Sequence, residues 1–328
     1  MSGDDHDRQW LSTLAPRVRF ESMKVTKKRL AFLLGGISLL IPIVSFSAAA
    51  LLAEGALHPL IRRRASDTAT LAYSIAQTAN VTATRICIRA DDGNELTAWW
   101  LSPKVTNRRA VMACHGVADS AFGAMGYALL FLRNGYSVLV PNGRGQGDSQ
   151  GYVAYGVLEA HDTVRWLEWL KGRGVTAAFG FGESLGGSVL IESLAQGADF
   201  RAIVAECPYS SFEAVAEERL AQHVPSAVAI ELVKEGVLYT RLRYGVDLGN
   251  ARPDVAIRYA HVPILLIHGL ADDETLPQNS ERLLRANPKE VQLWLVPGAK
   301  HTGAYARAPR QFERRVLQWF AQAQGSSN

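Results

Sequence analysis

Gly182-Glu183-Ser184-Leu185-Gly186, with Gly187 directly after it, is the stretch whose reading decides the fold. An apolar run over 176–181 predicts a strand before it, and 188–195 predicts a helix after it. A serine placed between glycines at a strand-to-helix turn meets the requirement of a nucleophile elbow. The backbone there reverses so sharply that only hydrogen side chains fit two residues either side of the serine. The hydroxyl is pushed clear of the turn, toward the positive end of the following helix. The plainer alternative is a glycine-rich helix start capped by a serine. The flanking strand and helix favour the elbow.

A serine hydroxyl needs a base, and the base needs an orienting acid. Downstream, residues 263–269 (PILLIHG) form a continuous apolar run suited to a buried parallel strand, and the loop after it carries Asp272-Asp273-Glu274. A helical stretch follows at 279–286, then a strand at 291–296, then Pro297-Gly298-Ala299-Lys300-His301. Ser184, Asp272 and His301 thus occur in the order Ser, Asp, His, each in a loop at the carboxyl end of an expected strand. Upstream, a strand at 111–114 runs into His115-Gly116-Val117-Ala118. The amides of Val117 and Leu185 are the candidate donors for an oxyanion. Another strand, 136–140, leads into Asn142-Gly143-Arg144-Gly145-Gln146-Gly147-Asp148-Ser149, where Arg144 is expected to staple the loop.

These motifs give residues 83–320 a resemblance to the α/β-hydrolase superfamily. The likeness is to bacterial serine hydrolases with G-E-S-L-G-G, R-G-x-G-x-S and P-G-A-x-H signatures, of the serine aminopeptidase-like and dienelactone-hydrolase-like groups. The resemblance implies Ser184 as nucleophile, Asp272 as acid, His301 as base, and Val117 and Leu185 as the oxyanion hole. Asp272 is preferred to Asp273 because it stands three residues past Gly269, the spacing such families show. Asp273 and Glu206, which ends the strand at 201–205, stay open as rival acids. His268 is read as packed, His115 as a buttress of its turn, and Glu183 as a structural residue pointing away from the nucleophile. Two departures stand out. Asn142 replaces the Asp that many relatives carry before the Arg-Gly loop, and the Ser nucleophile disfavours the substrate of true dienelactone hydrolases.

Residues 30–53 contain 24 consecutive residues without a charge. At 1.5 Å per residue they span ~36 Å, enough to cross a hydrocarbon core of ~30 Å. Gly35, Gly36 and Pro42 disfavour a soluble helix but are tolerated in a span. A cleaved signal peptide is the alternative, with Ser47-Ala48-Ala49-Ala50 offering small residues, but the segment is too long and follows a polar arm. Arg17, Arg19, Lys24, Lys27, Lys28 and Arg29 precede it, against Arg62, Arg63 and Arg64 after it. That bias places the N-terminus in the cytoplasm and the enzyme outside. The expected organisation is a basic arm (1–29), a transmembrane anchor (30–53), a linker (54–82) and a hydrolase domain (83–328) that folds without the anchor.

The fold class expected is α/β, a mostly parallel sheet covered by helices on both faces. Asp91-Asp92-Gly93-Asn94 turns an antiparallel hairpin at its start. Residues 209–250 carry helical periodicity and no strand, which marks a small helical cap; its Phe212, Leu232, Val237 and Tyr239 serve either an apolar substrate or packing. A net charge of +4, gathered around the apolar segment, argues against a nucleic-acid surface and suits a membrane. Cys87, Cys114 and Cys207 are scattered, read as small buried hydrophobes, and show no metal or disulfide spacing. No cofactor and no metal are implied. The leading expectation is a membrane-anchored serine esterase acting on a small-molecule or lipid-like acyl substrate. A peptidase, thioesterase or haloperoxidase uses the same residues, and a non-catalytic tethered binding protein is the rival from another class.

Overall fold

Along the central strands, neighbouring side chains drop into two different cores, which is why these strands read as unbroken apolar runs rather than alternating ones. In 264–269, Leu265 and Ile267 belong to one core while Ile264 and Leu266 belong to the other. The computed structural model describes residues 27–61, 65–105 and 108–325, with side chains from Leu40 onward. The basic arm and the Arg62–Arg64 triplet read from the sequence lie outside these residues, apart from the backbone of 27–29.

The strands are β1 (Thr82–Arg89), β2 (Glu95–Ser102), β3 (Arg109–Cys114), β4 (Ser137–Pro141), β5 (Ala177–Glu183), β6 (Ile203–Glu206), β7 (Ile264–Gly269) and β8 (Val291–Val296). They form one sheet in the order β1-β2-β4-β3-β5-β6-β7-β8. The β1–β2 and β2–β4 pairs are antiparallel, and every pair from β4 to β8 is parallel. Early helices are α1 (Lys27–Leu57), α2 (Ala65–Ala79), α3 (Ala121–Met125), α4 (Ala128–Arg133), α5 (Glu159–Gly172) and α6 (Leu185–Leu194). Later ones are α7 (Phe212–Leu220), α8 (Ser226–Tyr244), α9 (Pro253–Ala256), α10 (Gln278–Ala286), α11 (Ala304–Arg307) and α12 (Pro309–Gly325). Ile75 of α2, Met125 of α3, Phe131 of α4 and Phe312, Val316 and Phe320 of α12 fill one core. Trp166 and Leu170 of α5, Leu190 and Ile191 of α6 and Leu283 of α10 fill the other. This is the α/β-hydrolase fold, and α7 and α8 form the cap expected over 209–250.

Two particulars of the sequence reading change. Within 54–82, expected as a linker, residues 65–79 form helix α2, whose Ala72 and Ile75 are buried in the first core. Cys87 is exposed on the edge strand β1, whereas Cys114 and Cys207 are buried.

The larger change concerns the apolar N-terminal segment. Among the described helices one window, Leu40–Leu57, is long and apolar enough to cross a membrane. The chain divides into two compact units, Met1–Val44 and Ser45–Asn328, so residues 45–57 belong to the unit that holds the sheet. Leu57 is fully buried against Ala154, Val246 and Leu248, and its carbonyl accepts from the Val153 amide at 2.9 Å. Glu54 accepts hydrogen bonds from the hydroxyls of Tyr239 (2.5 Å) and Tyr244 (2.8 Å), both on α8. Ser45 Oγ donates to Glu235 at 2.6 Å. Small residues allow the approach: a Cβ on Gly236 would stand 3.6 Å from the Ala49 carbonyl oxygen. The last three turns of α1 thus form part of the packing beneath the cap, where the sequence reading placed an anchor and a linker.

Removing residues 1–44 should leave cooperative thermal unfolding in detergent nearly unchanged. Removing residues 1–57 should lower Tm by about 5 °C or more, because loss of a buried Leu alone costs about 2–5 kcal/mol. Calorimetry on the two truncations checks this, and equal Tm values would contradict the docking of residues 45–57.

Candidate functional site

Ser184 occupies the tip of the β5–α6 turn with φ 51° and ψ −116°, a conformation that costs a non-glycine residue about 1–3 kcal/mol. The glycines on either side are sterically obligatory. A Cβ on Gly182 would lie 2.5 Å from the Gly186 backbone, and one on Gly186 would lie 2.5 Å from the Cys114 carbonyl oxygen. The strained turn is held by the Ser184 amide, which donates to the Glu206 carbonyl at 2.7 Å, and by the Ser188 amide, which donates back to Ser184. Positive φ values recur at Ala118, Cys207 and Thr302, so four non-glycine residues in strained backbone follow the ends of β3, β5, β6 and β8.

The three side chains in the order Ser, Asp, His meet in space. Ser184 Oγ is 2.9 Å from His301 Nε2, and His301 Nδ1 is 2.8 Å from Asp272 Oδ2. The carboxylate only accepts, so Nδ1 carries its proton and Nε2 is left to accept the serine hydroxyl. Asp272 Oδ1 also accepts from the amides of Glu274 (3.0 Å) and Thr275 (2.9 Å), and Oδ2 lies 3.4 Å from His268 Nε2. Burial alone would raise the Asp272 pKa, but hydrogen bonds from His268, His301 and the Thr275 amide outweigh it and hold the carboxyl well below its usual range. Geometrically, the set can pass a proton from Ser184 to His301 and stabilise the resulting imidazolium.

The loop after β3 closes over the elbow. A Cβ on Gly116 would stand 3.4 Å from Ser184 Cβ. Among the described residues, neither the Val117 amide nor the Leu185 amide has an acceptor. Both are thus available to a developing oxyanion. His115 buttresses this loop: its Nε2 accepts from the Gly143 amide at 2.9 Å and its Nδ1 donates to the Gly116 carbonyl at 2.7 Å. Burial lowers its pKa, so the neutral tautomer that these bonds require is the one present. Arg144 is buried, donates to both oxygens of Asp162 at 2.9 and 2.6 Å, and pairs with Asp92, so it staples its loop. Asn142 satisfies neighbours of opposite kind: its Oδ1 accepts from the Ala121 amide at 2.7 Å, and its Nδ2 donates to Thr97 Oγ1 at 2.8 Å. An aspartate there would lack the donor.

The rival residues separate cleanly. Asp273 has an exposed side chain, and its carbonyl accepts from Gln222 at 2.8 Å. His268 is fully buried between Ser280 Oγ at 2.6 Å and the Thr275 carbonyl at 2.8 Å. Glu206 is buried; its Oε1 accepts from the Ala304 amide, and its Oε2 has no partner among the described residues. Burial, helped by the neighbouring Glu183 charge, pushes its pKa up to about 8.

Glu183 corrects the sequence reading. Instead of pointing away, it opens onto the same cavity of about 410 Å³ as Ser184 and His301, together with Asp119, Arg219 and Glu274. Tyr127 donates to it at 2.8 Å, and burial, opposed by that bond, raises its pKa to about 7. Sequence reasoning missed Asp119, Arg219 and Tyr127 because each reaches the site through tertiary packing and none belongs to a motif, and it quoted Glu274 only as a neighbour of Asp272. Cys207, His268 and Asp272 lie close enough together to chelate an ion. The donor set does not suit one, however: both His268 nitrogens are engaged, and burial pushes the Cys207 thiol far above its usual pKa.

Comparison with known proteins places this geometry. Bacillus subtilis YqkD is 25% identical over 239 residues, covering 69% of this chain and 75% of its own length. Among solved structures, the Pyrococcus furiosus esterase Pf2001 superposes with a TM-score of 0.61 at 19% identity, over 75% of this chain and 93% of its own. A Mycobacterium tuberculosis puromycin-hydrolyzing peptidase gives 0.61 at 18% identity, over 75% and 40%. At such identities the structural likenesses establish the fold. The model of the prolyl oligopeptidase family matches residues 124–327, a region that includes Ser184, Asp272 and His301 and leaves out the loop of Val117. With more than half of its length matched, the chain belongs to the prolyl oligopeptidase family and is a serine hydrolase of the α/β type.

Proposed function

We propose that the protein is a membrane-anchored serine hydrolase that cleaves carboxylic esters by way of an acyl-enzyme. The observation that carries this reading is the chain of two hydrogen bonds, Ser184 to His301 at 2.9 Å and His301 to Asp272 at 2.8 Å, at a strained elbow. In this reading Ser184 Oγ attacks the ester carbonyl while His301 Nε2 takes its proton. The tetrahedral oxyanion is met by the Val117 and Leu185 amides. His301 then returns the proton to the departing alkoxide, and a water activated by the same imidazole releases the acid and restores the serine. Asp272 serves as the orienting acid because it stays ionised, whereas Glu206 is neutral at pH 7. A peptidase is the second reading, supported by the family match; turnover of matched ester and amide substrates separates the two.

Ser184→Ala should abolish labelling by a fluorophosphonate and lower ester turnover at least about a thousandfold without loss of folding. His301→Ala should be comparably damaging, and the double variant should lose little more. Retention of more than about a hundredth of wild-type turnover in Ser184→Ala would remove it from the role.

For the acid, Asp272→Asn should reduce kcat by about 10³–10⁴, while Asp273→Asn should stay within about threefold of wild type. Glu206→Gln isolates the rival. A carboxyl whose folded pKa is raised from 4.5 to about 8 stabilises the fold while it is protonated, and that stability drains as pH rises between those two values. The Gln variant keeps an acceptor for the Ala304 amide and cannot ionise. Wild type should therefore lose about 3–4 kcal/mol more than Glu206→Gln between pH 5 and pH 8 in denaturant titrations. Parallel pH dependences would show that Glu206 ionises normally.

The anchor reading rests on the apolar residues 30–53, of which 45–53 also pack on α8, and on the excess of basic residues before them. The full chain should remain with membranes in high salt and leave only with detergent, and protease added to intact spheroplasts should cut the catalytic unit. Release by salt would refute the anchor, and protection until lysis would reverse the orientation.

A further inference from the structure

A second cavity, of about 220 Å³, lies under the cap between α1, α7 and α8. Ala49, Leu52, Ala53 and Ala56 of α1 supply one wall, with Phe212 and Ala216 of α7 and Leu232 and Val233 of α8 across from them. Tyr155 and Arg219 are its only polar side chains, and the Tyr155 hydroxyl is spent on the Ala56 carbonyl at 3.3 Å. Apart from Arg219, at the border with the Ser184 cavity, the lining is apolar, and it favours hydrocarbon at roughly 25 cal/mol per Å² of surface taken from water.

Its position gives that preference a use. Arg219 stands on the wall of this chamber and also on the wall of the cavity that holds Ser184 and His301, so the two spaces are neighbours. The side chain is fixed there by its Nε, which donates to the Glu274 carbonyl at 2.9 Å. Val215 and Tyr155 of the chamber also pack in one cluster with Leu185 and Val117, whose amides face the reacting carbonyl in the mechanism above. The two spaces differ in character. The one at Ser184 is lined by Asp119, Glu183, Glu274 and Arg219, while the chamber is hydrocarbon. On the outside of the same helices Leu51, Leu238 and Leu242 are exposed, so the chamber's walls also carry an apolar outer face next to Arg241 and Arg243.

We infer that this chamber holds the acyl chain of an amphiphilic ester, with the carbonyl at Ser184 and the polar alcohol portion in the charged cavity. The inference rests on the hydrolase reading and adds its substrate class: a lipid-like ester with an acyl chain of medium length. A methylene group occupies about the space of a water molecule, ~30 Å³, so the chamber holds on the order of seven. The C-terminal turns of the apolar helix are thereby a wall of the substrate site as well as a tether.

The test uses the full chain in detergent and p-nitrophenyl esters from acetate to laurate. Wild type should prefer a chain near octanoate. Ala216→Trp, which fills the chamber, should lower the octanoate-to-acetate ratio of kcat/KM at least tenfold. Phe212→Ala, which enlarges it, should move the optimum two or more carbons longer, and it gives an answer even where the Trp variant does not fold. Ratios unmoved within about twofold in both variants would overturn the assignment. A wild type that neither turns over an ester nor reacts with a fluorophosphonate refutes the hydrolase reading instead. The chamber is then judged by binding alone: decanoate should raise the Tm of Ser184→Ala and should fail to do so when Ala216→Trp is added. No rise in either protein would overturn the chamber as well.

Discussion

The close crossing of the β5–α6 turn over the end of β3 is the constraint on which the rest of the site depends. Gly186 can lie against the Cys114 carbonyl because it has no side chain, and this contact brings the loop of Gly116 and Val117 over Ser184. A methyl group at Gly186 would push the turn off the end of β3 and separate the serine from the candidate oxyanion amide of Val117. The Ser184 amide bonded to Glu206 ties the same turn to β6, and β6 pairs with β7, whose following loop carries Asp272. Strain at Ser184, Ala118, Cys207 and Thr302 is therefore shared across one sheet edge, where parallel pairing is rigid enough to hold it.

Much of this was legible in the sequence because it is written in residue types with no substitute. Glycines at 182 and 186, an apolar run ending in His268-Gly269, and a histidine after Pro297-Gly298-Ala299 each record a backbone requirement at a strand end. The cap was legible too, since a stretch of some forty residues without a strand interrupts a regular alternation of strands and helices. Asp272 and Asp273 could not be separated by residue type. Only the fold shows one buried against two histidines and the other exposed.

What escaped the sequence depended on side chains meeting from distant elements. Glu183 ends a strand whose alternation suggests where its neighbours point, but its own carboxylate accepts from the hydroxyl of Tyr127, fifty-six residues earlier. The docking of the last turns of the apolar N-terminal segment escaped for a different reason. Hydropathy alone cannot distinguish an alanine facing lipid from one facing a glycine on another helix, and Ala49 and Ala53 lie against Gly236. The polar residues give the clue: Ser45 and Glu54 bracket the part that docks, and each is bonded to α8.

That docking links α1 to the turn of Ser184 through packing. Leu57 joins Ala154, Val246 and Leu248, the strained Tyr155 follows directly, and Tyr209 donates to the Tyr155 carbonyl at 2.6 Å. Tyr209 in turn receives a bond from Ser188 through its backbone carbonyl, and Ser188 lies on the first turn of the helix that begins at the elbow. A continuous set of buried contacts therefore runs from the end of α1 to the turn that presents Ser184. Coupling of this kind needs no moving part. The buried end of α1 packs against the cap, and the cap, through Arg219 on Glu274 and Gln222 on Asp273, is bonded to the loop that carries Asp272.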